Sequence, residues 1–81
     1  MSRHRFTGEE IVKALTKMGF DPVDRTGSHF KLRYIHPETE EVRNITVPMG
    51  GEIRTGTLQS IAKQCGAEDF HAWCEWIDSL R

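Results

Sequence analysis

The chain is poor in cysteine. Its 81 residues include only Cys65 and Cys74, too few for a disulfide framework and without metal-ligand spacing. Both fall on apolar helical stripes, which reads them as reduced core residues of a cytoplasmic protein. No apolar run approaches the roughly 20 residues that a bilayer span requires, so no membrane is expected. The opening MSRHRFTGEE lacks the apolar stretch of a secretory signal. Internal repeats, low-complexity segments and linkers are missing too. No pair of histidines has zinc-ligand spacing. Glu52-Ile53-Arg54 lacks the glycine-rich pattern of a nucleotide loop. No metal and no cofactor is therefore expected. A charge of one sign is also lacking: 11 Lys and Arg stand against 12 Asp and Glu, a net charge of −1. Taken alone, that balance argues against nucleic acid as a partner.

The charges are unevenly placed, however. From Arg25 to His36 there are three basic residues, two histidines and no acid. From Ala67 to Arg81 there are four acids and one base. A near-neutral domain can present a basic face when its acids sit elsewhere. With 37% apolar and 28% charged residues, the composition is that of one soluble globular domain spanning 1–81. A chain this short buries about 60–65% of its unfolded surface, so the core is thin.

The pattern predicts an α+β fold. Thr7 and Glu10 form a capping-box pair, and Ile11, Ala14, Leu15 and Met18 make one helical stripe. Gly19 ends this helix, which is expected over about Gly8–Met18. Phe20 to Arg25 reads as an edge strand or an irregular start, because Pro22 has no ladder donor. Thr26-Gly27-Ser28 is a turn. In His29 to Ile35, Phe30, Leu32 and Tyr34 face one way, and His29, Lys31 and Arg33 the other. After the polar loop 36–40, Val42 to Val47 is a third strand with Ile45 and Val47 inward. A second helix carries Leu58, Ile61, Ala62 and Cys65, and Gly66 closes it. A third carries Phe70, Trp73, Cys74, Ile77 and Leu80. Phe70, Trp73 and Ile77 are assigned to the core; Trp76 is left between core and partner surface. Three strands on short turns make an antiparallel sheet with the helices on its apolar face.

Period two then forces His29, Lys31 and Arg33 onto the solvent face. Backbone needs explain Gly27 but not a cationic face with a histidine at its rim. Cleaving RNA through its own 2′-hydroxyl requires a base, an acid and cations near the phosphate. Histidine suits either proton role near neutrality. Lys31 and Arg33 disfavour the imidazolium and bound phosphate favours it, so base and acid remain equally open. Gly27 permits close approach and Ser28 offers a phosphate hydrogen bond. The plain alternative is that exposed strands carry Lys, Arg and His for solubility and against edge pairing. Other candidates are weaker. His4 lies in the N-terminal tail and His36 in a turn. His71 is spaced to pair with Glu68 and Glu75. Thr55-Gly56-Thr57 opens the second helix, where N–H groups can hold phosphate or ordinary capping suffices.

The ordered segments GFDPV, GSHFKLRY, ITVPM and IRTGTLQSIAKQCG resemble the HicA, or YcfA-like, family of toxins. The resemblance covers about Thr7 to Gly66, with 67–81 as a C-terminal helical extension. It implies a double-stranded-RNA-binding-domain-like α-β-β-β-α fold and cleavage of messenger RNA without a metal, by the toxin of a type II toxin–antitoxin module. It further implies His29 as the catalytic residue, a HicB-type antitoxin covering the active site, and no binding to DNA by the toxin itself. Arg25, Lys31 and Arg33 would then hold phosphate with Gly27 and Ser28, and Lys13 and Lys17 would extend the track from the first helix. One departure stands out: many members have a histidine just after the Val-Pro of the third strand, where this chain has Gly50. Two other functions share the same residues: a non-catalytic RNA-binding module, and a protein-interaction adaptor using the acidic, tryptophan-bearing last helix.

Overall fold

The computed structural model describes residues 5–80; His4 and Arg81 lie outside the described residues. The element order is α1 (Gly8–Lys17), β1 (Asp21–Thr26), β2 (His29–Ile35), β3 (Val42–Pro48), α2 (Thr55–Gln64) and α3 (Phe70–Leu80). This is the expected α-β-β-β-α order with one added helix. The sheet is antiparallel with β2 in the centre.

The first helix starts as its sequence dictates. The Thr7 side chain accepts from the Glu10 N–H at 3.2 Å, and Glu10 Oε1 accepts from the Thr7 N–H at 2.9 Å. Each bond satisfies an otherwise orphaned helix-start donor. Phe6 and Ile11 occupy the two positions of a hydrophobic staple and both are fully buried. Phe6 belongs to none of the sequence stripes, yet it is among the largest core side chains. Its carbonyl also accepts from the Ile53 N–H at 2.8 Å.

Leu32, Ile45 and Val47 form the sheet's share of the core, against Ile11, Ala14 and Leu15 of α1 and Leu58, Ile61 and Ala62 of α2. Trp73, Cys74 and Ile77 complete it from α3. Phe70 is half-buried rather than interior and stacks on Trp73 with ring centroids 6.3 Å apart. Cys65 is likewise half-buried, because it follows the last residue of α2 rather than lying within the stripe.

The two edges of the sheet are managed differently. On β3, the outward Thr46 N–H donates to Gln64 Oε1 at 3.0 Å, so the end of α2 covers that edge. On β1, every residue is exposed, and the register shifts between Pro22 and Asp24. Pro22 therefore marks both an edge strand and a bulge. Among the described residues, no helix is long and apolar enough to cross a membrane.

Candidate active site

His29 opens β2 directly after a two-residue hairpin turn. Thr26 faces His29 across β1, and Gly27 and Ser28 form the turn between them. Gly27 has φ +57, a left-handed conformation that a side chain would strain by about 1–2 kcal/mol. A Cβ there would meet nothing within 4 Å. Backbone conformation rather than crowding is the demand, and the turn stays open to solvent.

The turn is anchored from beneath. The Met49 N–H donates to the Ser28 carbonyl at 2.6 Å. On the other strand His29 faces Pro48. The start of α1 presses on that same point: a Cβ on Gly8 would lie 2.2 Å from the Pro48 carbonyl oxygen. Gly8 is thus the residue that lets α1 close on the end of β3, and this contact fixes the platform under His29.

The register sets what shares the open face. His29 stands with Thr26 and Pro48, Lys31 with Asp24 and Thr46, and Arg33 with Asp21 and Asn44. Alternate residues on one strand lie about 7 Å apart, so His29, Lys31 and Arg33 form a spaced cationic row, all exposed. Arg33 Nε donates to Asn44 Oδ1 at 3.3 Å, which ties the guanidinium to β3. Val23, pushed out by the bulge, joins Lys31, Arg33, Asn44 and Thr46 around a depression of about 340 Å³. The row ends in apolar residues, with Ile35 57% and Val42 50% exposed opposite one another.

Three sequence-predicted cations do not join this row. Arg25 pairs with Phe30, which puts it at the edge of the helix-covered face. Period two from the turn requires this, since Thr26 is already committed to His29. Lys13 lies on α1, on the covered side of the sheet. Lys17 does too, and its Nζ donates to the Leu80 carbonyl at 2.8 Å, tying α1 to the end of α3. The same counting reveals two acids that the run from Arg25 to His36 conceals. Asp24 and Asp21 stand across from Lys31 and Arg33. Asp24 is held by its own strand: it accepts from the Arg25 N–H at 2.8 Å and from Thr26 Oγ1 at 3.2 Å.

The remaining histidines lie elsewhere. His36 sits past the far end of β2, where its Nδ1 accepts from the backbone N–H groups of Glu38 and Thr39 at 3.1 and 3.3 Å. His71 pairs with Glu75 on α3 at 3.1 Å. Among the described residues, no three His, Cys, Asp or Glu side chains converge as a metal site. The second helix begins with Arg54 as its N-cap, without a side-chain capping bond. Thr55 is the first helical residue and not the cap. Gly50 has φ +103, so a histidine at that point would be strained even though the space is open.

The architecture defines a class: a small α+β domain whose uncovered sheet face carries a histidine-led row of cations beside a tight turn. The family model described as HicA toxin of bacterial toxin-antitoxin matches residues 8–67. The chain belongs to this family of toxins, whose members imply an antitoxin as partner. No curated protein matches the chain. The matched segment runs from the start of α1 past the end of α2, so α3 lies beyond it.

Proposed function

We propose that this toxin is an endoribonuclease that cleaves messenger RNA without a metal ion, with His29 at the reacting phosphodiester. The observation that carries the reading is the His29 row, on a sheet face that folding does not use, in a chain of this toxin family. In the reaction the RNA 2′-oxygen bonds to phosphorus and the bond from phosphorus to the 5′-oxygen breaks. A proton leaves the 2′-hydroxyl and another reaches the 5′-oxygen. The products are a 2′,3′-cyclic phosphate and a 5′-hydroxyl. His29 carries one of these protons. Lys31 and Arg33 stabilise charge on the phosphate oxygens, and Ser28 donates to one of them. Gly27 allows the substrate backbone to approach. Arg25, Lys13 and Lys17 act at longer range, raising the local concentration of RNA. A HicB-type antitoxin in the same cytoplasm would silence the toxin by covering the open face.

One observation favours a second reading, an RNA-binding module without catalysis. Among the described residues no other histidine lies beside His29, so the second proton carrier is water or another group. Incubating an end-labelled messenger RNA with antitoxin-free protein in EDTA separates the two. The toxin reading predicts fragments ending in cyclic phosphate. Retained binding with intact RNA would establish the module instead.

A further inference from the structure

An aspartate and a threonine are joined on the open face of β1, beside His29. Thr26 Oγ1 donates to Asp24 Oδ2 at 3.2 Å, and Asp24 Oδ1 accepts from the Arg25 N–H at 2.8 Å. Both carboxylate oxygens are thus engaged, and the Thr26 hydroxyl proton is committed to Asp24. A hydroxyl has one proton and two lone pairs. Towards any further partner, Thr26 Oγ1 is therefore an acceptor only. His29 stands directly opposite Thr26 in the strand register.

Local bonds of this kind often do no more than finish a strand end. The surroundings of His29 give this one a further use. Directly opposed residues of an antiparallel pair share a face, with Cβ atoms about 4.5–5.5 Å apart. That spacing brings a ring N–H within reach of a hydroxyl. On the other side of His29 stands Pro48, whose side chain accepts nothing. Lys31, next along the row, can only donate. Among the described residues, the exposed His29 imidazole makes no hydrogen bond. A ring held by nothing turns freely and exists as two neutral tautomers. Which nitrogen keeps the proton is set by the bond that the other face of the ring makes.

We propose that Thr26, oriented by Asp24, is a positioning residue for His29: its Oγ1 accepts from the imidazole N–H that faces β1. The other ring nitrogen is then left to exchange a proton with RNA. It takes the proton of the 2′-hydroxyl or gives one to the 5′-oxygen, while the N–H facing Thr26 stays in place in both states. No proton passes through Thr26 or Asp24. The charge of Asp24, one bond removed, favours the imidazolium, against Lys31 and Arg33, which disfavour it. From β3, Thr46 and Asn44 bring no charge to this face. The purpose of the contact rests on the nuclease reading; the contact itself does not.

The test reads the ring nitrogens of His29 in ¹⁵N–¹H spectra of the intact protein, with His29→Ala to identify its signals, and measures cleavage separately. Wild type should show a single neutral tautomer. Thr26→Val, an exposed replacement that suits a strand, should return the ring to the mixture of free histidine at an unchanged melting temperature. Thr26→Ser should restore the single tautomer. Asp24→Asn should lower the His29 pKa by about half a unit, the effect of one opposite charge at an exposed site. In cleavage, Thr26→Val should lower kcat about tenfold with KM unchanged, and Thr26→Ser should recover it. The free-histidine mixture in wild type would overturn the proposal, as would a Thr26→Ser protein that behaves like Thr26→Val. A single, Thr26-dependent tautomer in a protein that leaves RNA intact would uphold the contact and sink the nuclease reading instead.

Discussion

The two faces of β2 obey different rules. Leu32 is 1% exposed and packs in a core drawn from every helix, whereas its neighbours Lys31 and Arg33 are exposed, opposite Asp24 and Thr46 and opposite Asp21 and Asn44. The covered face is dictated by burial: the strand residues buried there, Leu32, Ile45 and Val47, are all apolar and sized to pack. The open face is free of that demand, so its residue choices carry information about chemistry. A histidine placed at the mouth of a tight turn, with cations spaced along the same row, is the part of this small domain that folding does not explain.

Substitutions on the two faces should separate accordingly. Leu32→Ala should have the largest effect on stability, about 2–5 kcal/mol for a large-to-small change in a packed core. Chemical denaturation measures it; a loss below 1 kcal/mol would mean that the sheet's covered face is not the core described. Next come the cations. Arg33→Ala should weaken RNA binding about tenfold and flatten its salt dependence by roughly one counterion. Arg25→Ala, on the other face, should change affinity less than threefold. Equal losses from both would show that RNA does not distinguish the faces. The covered side also carries a pH dependence. Burial raises the Cys65 pKa from 9.0 to about 11, so the folded state holds its proton more tightly than the unfolded chain. The associated stability is complete below pH 9 and is lost as pH rises towards 11. Cys65→Ala should remove this alkaline slope, an amount on the order of 2 kcal/mol, in melts compared at pH 8 and 10.5.

Much of this arrangement is legible in residue order. The Thr7–Glu10 pair announces α1, the alternation from His29 to Ile35 gives both faces of β2, and Gly19 and Gly66 mark helix ends. What escapes is whatever depends on register and on contacts between distant segments. Arg25 looks like part of the basic run until the turn is counted and Thr26 takes its place beside His29. Asp21 and Asp24 precede that run in sequence but stand across from its cations in space. Phe6 escapes the periodic pattern because it precedes α1, where Ile53 is joined to its carbonyl from far along the chain. A cavity of about 360 Å³ lined by Phe20, Tyr34, Trp73 and Trp76 draws on the segment after α1, the sheet, the end of α2 and α3 together, so spacing within any one segment conceals it. The His29 row itself was readable; its separation from Lys13 and Lys17 was not, since that follows from α1 lying on the covered side.

The most direct measurement is a side-by-side comparison of His29→Ala and wild type, in single-turnover cleavage of labelled RNA in EDTA and in thermal unfolding. The account predicts a cleavage rate lower by about 10²–10⁴-fold, the usual worth of a proton-transferring group, with an unchanged melting temperature. Cleavage at the wild-type rate by the folded variant would contradict it and remove His29 from the chemistry of this toxin.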